Sequence, residues 1–180
     1  MKFRYIEPAT DFADGLRVLQ EYHDDFLARG RDLLELVDTI NEDGINEVTA
    51  YQCVEFHNYY TRANKLHHQD EEHALFPTIV NRSFLIDGMI ERLTLDHEEI
   101  EEAWGELSPL LATPEKISTA GKLKRLAEEF EKVQREHLVR ENEDFLELVA
   151  TELFDDERAE IGRKMAMLRG LEDGKIRHAV

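Results

Sequence analysis

Apolar residues recur every three or four positions along most of this chain, the spacing of an amphipathic α-helix. The pattern predicts five helices, the first four of them long: about 11–40, about 46–77, about 87–111, a fourth that begins near 113, and a short one over about 156–170. Asp87 is placed to cap the third helix, and Thr113-Pro114-Glu115 has the form of an N-cap followed by proline at the first helical position.

Long amphipathic helices with short connections predict an all-α fold, an up-down-up-down four-helix bundle with a short C-terminal fifth helix. Only nine Gly and four Pro punctuate the 180 residues, and they mark no linker. We therefore expect residues 1–180 to form one domain. Its bundle core should cover about 11–153, and the short C-terminal helix and tail about 156–180.

One histidine falls near the middle of the apolar row of each long helix: His23, His68, His97 and His137. In an antiparallel bundle with a rise of about 1.5 Å per residue, these four positions come to roughly one level. Buried imidazoles must be hydrogen-bonded or bound to a metal. The sequence therefore predicts that the four rings converge on a shared site.

Three of these histidines are followed four residues later by glutamate, as His68/Glu72, His97/Glu101 and His137/Glu141, and the first and last of these pairs lie in similar segments. On a helix, four residues bring both side chains to one face a single turn apart. One such pair is also typical of a solvated helix surface. Together with the convergence of the rings, however, the pairs predict a two-metal centre, and imidazole with carboxylate suits iron, manganese or zinc. The predicted ligands are His23, His68, Glu72, His97, His137 and Glu141.

Ferritin-like di-iron bundles use Glu-x-x-His on two helices. No histidine of this chain has glutamate three residues before it, so that class is excluded. The segment His67-His68-Gln69-Asp70-Glu71-Glu72-His73-Ala74-Leu75-Phe76-Pro77 instead resembles the HHxxEExxLFP signature of the hemerythrin-like (HHE cation-binding) family, bacterial type. The segment His137-Leu138-Val139-Arg140-Glu141 is similar to that family's second HxxxE element.

The resemblance implies a non-haem centre of two Fe ions with an oxo or hydroxo bridge, for which Mn or Zn are possible substitutes. By position, His23 and His68 would belong to one iron and His97 and His137 to the other. Glu72 and Glu141 would bridge the two. Oxygen-carrying hemerythrins resemble this scheme but have a fifth histidine and a bridging Asp, where this chain has Asn142. The chain is thus more similar to bacterial members.

The resemblance further implies a protein that binds or senses O2, NO or a related oxidant, rather than a true enzyme. Two alternatives stay open. One is a di-iron enzyme for peroxide or NO detoxification or for repair of damaged iron centres, and the other is iron storage or sensing.

Several residues near the predicted ligands are candidates for supporting roles. His57 lies three turns before His68 and is an alternative ligand, a hydrogen-bond donor to a ligand, or part of a channel lining with Asn64. Tyr60 and Glu101 are further candidates. His67 and His73 are expected to flank the ligand face and point outward.

Composition restricts the partners. A formal charge of −18 repels phosphate backbones and anionic lipid, so neither nucleic acid nor a membrane surface is an expected partner. The chain contains no run of 18 apolar residues and no signal-peptide pattern, and its single cysteine suits a reducing compartment, so a cytoplasmic location is expected. The expected partner is a small diatomic ligand or peroxide, and the oligomeric state is left open.

Overall fold

The structure, a computed structural model, describes residues 4–171, so 172–180 of the predicted tail lie outside it. Two π-helical turns, Glu71–Leu75 and Glu141–Phe145, and a 3-10 turn at Pro114–Lys116 accompany the α-helices. No strand occurs within the described residues, and the prediction of an all-α bundle is confirmed. The helices are α1 (Gly15–Asp43), α2 (Glu47–Asp70), α3 (Phe76–Ile79), α4 (Phe84–Ala112), α5 (Ala120–Arg140), α6 (Leu146–Glu152) and α7 (Asp155–Leu168).

The long helices surround one core. Helices α1 and α4 each pack against both α2 and α5, and α7 covers α1, α2 and the first π-turn. Buried side chains from every helix fill the interior, among them Phe26, Tyr60, Leu93, Phe130 and Met165. The division into bundle core and C-terminal helix remains a prediction, although α7 contributes buried residues to this same core.

Side-chain caps decide where the helices begin. Asp14 accepts a hydrogen bond from the Leu16 amide at 3.0 Å and caps α1. Ser83, rather than Asp87, caps α4, which therefore begins earlier than predicted. Asp87 instead accepts a hydrogen bond from the Asn81 amide at 2.8 Å. The segment Pro114–Lys116 forms a separate 3-10 turn, so the helix predicted from there begins only at Ala120.

The inward face of α2 differs from the predicted one by one residue. Thr61 lies two turns before His68, on the face of the helix that was predicted to point inward, yet it is exposed, whereas Cys53, Tyr60 and Ala63 are fully buried. A shift of one residue turns a helix by about 100°. This rotation brings His67, rather than His68, onto the row that faces the centre of the bundle.

Two glycines let α7 lie close to α1. A Cβ atom on Gly162 would overlap the backbone carbonyl oxygen of Phe12, and one on Gly15 would overlap the Ile161 side chain. Glycine is therefore required here for close approach of the two backbones, not for an unusual φ. Within 4–171, no helix is both long and apolar enough to cross a membrane.

Candidate metal centre

Four imidazoles and two carboxylates meet in the middle of the bundle. His23 lies on α1, His67 on α2, His97 on α4 and His137 on α5, while Glu71 and Glu141 are the first residues of the two π-turns. All six side chains are at most 3% exposed. Their ligand atoms form two groups, with Glu71 common to both: His23, His67, Glu71 and Glu141, and Glu71, His97 and His137.

Glu71 stands between the two groups. Its Oε1 lies 3.3 Å from Nε2 of His67, and its Oε2 lies 2.7 Å from Nε2 of His97. Glu141 is placed similarly, with its Oε2 3.0 Å from Nε2 of His23 and 3.2 Å from Nε2 of His137. Each carboxylate is thus within reach of histidines from different helices.

The π-turns explain how the glutamates reach this position. In each turn the backbone hydrogen bond runs from residue i+5 to residue i, so that the Phe76 amide donates to the Glu71 carbonyl and the Leu146 amide to the Glu141 carbonyl. A π-turn contains one residue more than an α-turn, and such turns are frequent at functional sites. Both occur at the same place relative to an HxxxE motif.

The inner atoms of the six side chains satisfy one another poorly as hydrogen-bonding groups. Among the residues that the structure describes, none of these atoms has a hydrogen-bond partner of good geometry. They are Nε2 of His23, His67, His97 and His137 and both carboxylate oxygens of Glu71 and Glu141. Buried polar groups without partners are costly. The donor set of nitrogen and carboxylate oxygen is one that divalent transition metals bind, so these residues fit a pair of metal ions.

Burial and mutual repulsion govern the charges of the two glutamates. Burial, strengthened by the neighbouring Glu141, raises the pKa of Glu71 well above its ordinary value. Burial also acts to raise the pKa of Glu141, but His137 and His23 outweigh it and hold that pKa well below the ordinary value. Glu141 is therefore ionised, whereas Glu71 favours its neutral form unless a positive charge lies beside it.

The pKa values of His67 and His137 shift in opposite directions. Burial lowers the pKa of His67 to about 3. For His137 burial again favours the neutral ring, but Glu141 and Asp96 together raise its pKa to about 9. His67 is therefore neutral at physiological pH and has its Nε2 lone pair or its N–H directed at the carboxylates, according to its tautomer.

Three of the four histidines are oriented through their second ring nitrogen. Nδ1 of His23 lies 2.7 Å from Oδ1 of Asn142, and Nδ1 of His97 lies 2.7 Å from Oε1 of Glu72. Nδ1 of His137 lies 3.4 Å from Oδ2 of Asp96. Such partners fix the tautomer so that Nε2 can bind a metal. Nδ1 of His67 has no partner within 4–171, and its ring instead stacks on Tyr22, with the centroids 5.8 Å apart.

Of the six predicted ligands, the structure brings His23, His97, His137 and Glu141 together, but His68 and Glu72 lie outside both groups. Glu72 contacts His97 at Nδ1, the ring nitrogen that does not face the centre. His68 stacks on His97 with the ring centroids 3.9 Å apart. His67 and Glu71 stand where His68 and Glu72 were predicted. The expectation that His67 points outward is wrong, because the ring is 1% exposed, whereas His73 is exposed as expected.

The four supporting candidates lie outside both ligand groups. His57 stacks against Trp104 with centroids 6.1 Å apart, and Tyr60 is fully buried among aromatic rings. Asn64 accepts a hydrogen bond from Gln134 at 3.2 Å. Glu101 is exposed, with its Oε1 3.9 Å from Nδ1 of His68.

A surface cavity of about 450 Å³ lies beside the centre and is lined by His68 and Glu72, which belong to neither ligand group. Asn64, Lys65 and Glu101 also line it, and the His68 ring in its wall stacks on the His97 ring. Burial lowers the pKa of His68 well below its ordinary value, so the wall next to the centre is an uncharged ring. The lining residues His68 and Glu72 both contact His97, but none of the six side chains of the centre lines the cavity itself.

The sequence offered a signal for the residues that were missed. The row Cys53, Tyr60, Ala63, His67 is more apolar than the row Val54, His57, Thr61, Asn64, His68, and so favours His67 as the inward ring. No comparable signal marks Asp96 or Asn142, because their contacts join helices far apart in sequence.

Comparison with known proteins shows which family the chain is similar to. An uncharacterized protein of Haemophilus influenzae is 28% identical over 143 residues, which cover 79% of this chain and 83% of that protein. No solved structure matches the chain significantly. The model of the hemerythrin HHE cation-binding domain matches residues 14–149, which include all six side chains of the centre. The chain therefore belongs to the hemerythrin HHE cation-binding domain family.

Proposed function

We propose that this protein holds two iron ions between its π-turns and binds or senses a small oxidant there, namely O2, NO or peroxide. The observation that carries the proposal is the set of buried nitrogen and oxygen atoms that face one another and have no hydrogen-bond partner among residues 4–171. His23 and His67 would hold one ion, and His97 and His137 the other. Glu71 and Glu141 would bridge them, because each reaches histidines of both pairs.

The composition of the ligand set favours a reactive centre over a structural one. Two histidines and two shared carboxylates leave each ion short of six ligands, as is typical of sites that exchange small molecules. Ferrous ions bound there would supply electrons and open coordination positions to a diatomic oxidant. Manganese and zinc bind the same donor types, so the preference for iron belongs to the proposal.

The side chains around the ligands would hold the centre rigid and dry. Asn142, Glu72 and Asp96 orient three of the imidazoles, and this fixes which ring nitrogen is available for the metal. Phe26 and Tyr22 pack against His67 and exclude bulk water from that side. A small molecule would approach from the cavity beside His68, whose ring stacks on His97.

Two adjacent glutamates provide a matched test of the ligand assignment. We expect Glu71→Gln to lose at least one of two irons per chain, because Glu71 faces both histidine pairs. Glu72→Gln should retain both ions, because Glu72 contacts only the outer nitrogen of His97. Elemental analysis of freshly purified protein measures the difference. Loss of iron from Glu72→Gln but not from Glu71→Gln would restore the ligand set predicted from the sequence.

The response to oxidants is tested on the same preparation. Anaerobically reduced protein is mixed with O2 or with NO, and the optical spectrum is followed for several seconds. A new absorption band that requires bound iron supports binding or sensing. An unchanged spectrum in a protein that contains two irons per chain would contradict the proposed function.

A further inference from the structure

The two π-turns place equivalent residues at the centre but differ at one of them. In each turn, the glutamate of the centre is followed by a residue whose side-chain oxygen contacts a histidine of another helix. The contact is to Nδ1 of that histidine, the ring nitrogen that does not face the centre. After Glu71 this residue is Glu72, which contacts His97, and after Glu141 it is Asn142, which contacts His23. Both contacts are 2.7 Å long. One ring thus donates to a carboxylate and the other to a neutral amide.

The second histidine of each pair increases this difference. Nδ1 of His137 faces the carboxylate of Asp96 at 3.4 Å. Nδ1 of His67 has no hydrogen-bond partner among residues 4–171. The pair His97 and His137 is therefore supported by two carboxylates, and the pair His23 and His67 by one amide.

A hydrogen bond to a carboxylate raises the basicity of a metal-binding imidazole more than a bond to a neutral amide does, because it draws the ring proton toward a negative charge. More basic ligands stabilise a trivalent ion more than a divalent one. On the assumption that the proposed di-iron centre exists, we infer that the ion at His97 and His137 is the harder of the two to reduce. The ion at His23 and His67 would accept the first electron.

Other charged groups lie nearby but do not bind the ligand rings. Arg92 and Arg140 both contact Asp96, so they anchor its carboxylate and share part of its charge. The contribution of Asp96 should therefore be smaller than that of Glu72. On the opposite side, Arg169 pairs with Asp70 and Glu7 behind Tyr22, and none of the three hydrogen-bonds a ligand imidazole.

The experiment is a reductive titration of the iron-loaded protein with a chemical reductant, followed by optical and EPR spectra. Each of the two steps transfers one electron from the reductant and converts one Fe³⁺ to Fe²⁺. Glu72→Gln gives both rings an amide partner of similar shape. It should raise the reduction potential of the second step alone, by about 59 mV. The equilibrium constant for forming the one-electron state should therefore fall about tenfold.

Two further variants make the test specific. Asp96→Asn should act in the same direction as Glu72→Gln but more weakly. Glu101→Gln removes one negative charge from the same side of the protein, yet its carboxylate contacts no ligand histidine and lies 3.9 Å from His68. It should shift both steps slightly and equally, without changing their separation.

The outcomes separate this inference from the proposed function. If Glu72→Gln reduces the difference between the two reduction potentials and Glu101→Gln does not, the inference stands. If Glu72→Gln moves the first step, or moves both steps as Glu101→Gln does, the inference is overturned although the di-iron centre remains. If iron-loaded wild-type protein is reduced in a single two-electron step, the inference is overturned although the di-iron centre remains. If the wild-type protein binds no pair of iron ions, the proposed function is overturned as well.

Discussion

Arg169 lies at the end of α7 and is the buried cation whose removal should lower the free energy of unfolding most. Its guanidinium donates to both carboxylate oxygens of Asp70 at 2.7 Å and to the hydroxyl of Tyr22 at 2.9 Å. Its Nε lies 3.0 Å from Glu7. Arg169 is 4% exposed and Asp70 is fully buried. The substitution Arg169→Met keeps most of the side-chain volume and removes the charge.

The expected cost follows from the charge that is left behind. Burial raises the pKa of Asp70 to about 6, and the hydrogen bonds and charge of Arg169 keep it from rising further. Breaking a buried ion pair by removing one partner typically costs about 3–5 kcal/mol, since the other charge remains without compensation. We expect about 4 kcal/mol for Arg169→Met. With a urea dependence of about 2 kcal/mol per M, the unfolding midpoint falls by about 2 M.

Urea unfolding of the metal-loaded protein, followed by circular dichroism, measures this loss. Arg163→Met is the matched control, because Arg163 lies on the same helix and pairs with Glu160 while 57% exposed. That variant should unfold at nearly the same urea concentration as wild type, because solvent screens an exposed ion pair. The double variant Asp70→Leu with Arg169→Met should recover much of the loss, because no buried carboxylate is left unpaired. A free energy of unfolding for Arg169→Met within about 1 kcal/mol of the Arg163→Met value would refute the reasoning.

Three further predictions concern parts of the fold away from the centre. Gly162→Ala should lower the free energy of unfolding by about 1–3 kcal/mol, because its Cβ would meet the backbone of the segment before α1. Gly88→Ala, on the open face of α4, should raise it by up to about 1 kcal/mol. Thermal unfolding that ranks the two variants in the opposite order would contradict the close packing. Burial acts to raise the pKa of Asp14, but the hydrogen bonds and charge of Arg158 lower it overall. The stability of wild type over Asp14→Asn, about 0.5–1 kcal/mol, should thus be present at pH 7 and be lost as the pH falls below the ordinary Asp pKa and through the lower folded pKa. A stability difference that does not shrink in acid would refute the assignment. Tyr60→Phe should raise the free energy of unfolding by about 1 kcal/mol, since the buried hydroxyl has no partner within 4–171, and a loss in calorimetry would mean that the hydroxyl is bonded.

The sequence predicted the fold well because helical periodicity and turn residues are local properties. It also indicated a site of converging histidines, and His23, His97 and His137 meet as expected. The difference of one residue between the predicted His68 and the His67 that lies in the centre has a physical cause. His67/Glu71 and His68/Glu72 have the same spacing of four, so the motif alone cannot distinguish them. Only the helical phase of residues such as Cys53 and Tyr60 does so.

The outer contacts could not have been read from the sequence. Asp96 meets His137 across 41 positions, and Asn142 meets His23 across 119. No local pattern encodes such pairs, because they depend on how the helices rotate and on where the π-turns fall. A π-turn itself requires only one additional residue in an otherwise continuous helix, which leaves little trace in the periodicity.

The last helix has a consequence for where this protein can be shortened. The family match ends at residue 149, yet α7 lies beyond it and places Ile161, Met165 and Ala166 in the core. A fragment cut at that boundary would expose the apolar side of α1 and would leave Asp70, the neighbour of Glu71, without its cation. The portion shared with the family is therefore smaller than the portion needed for a stable molecule.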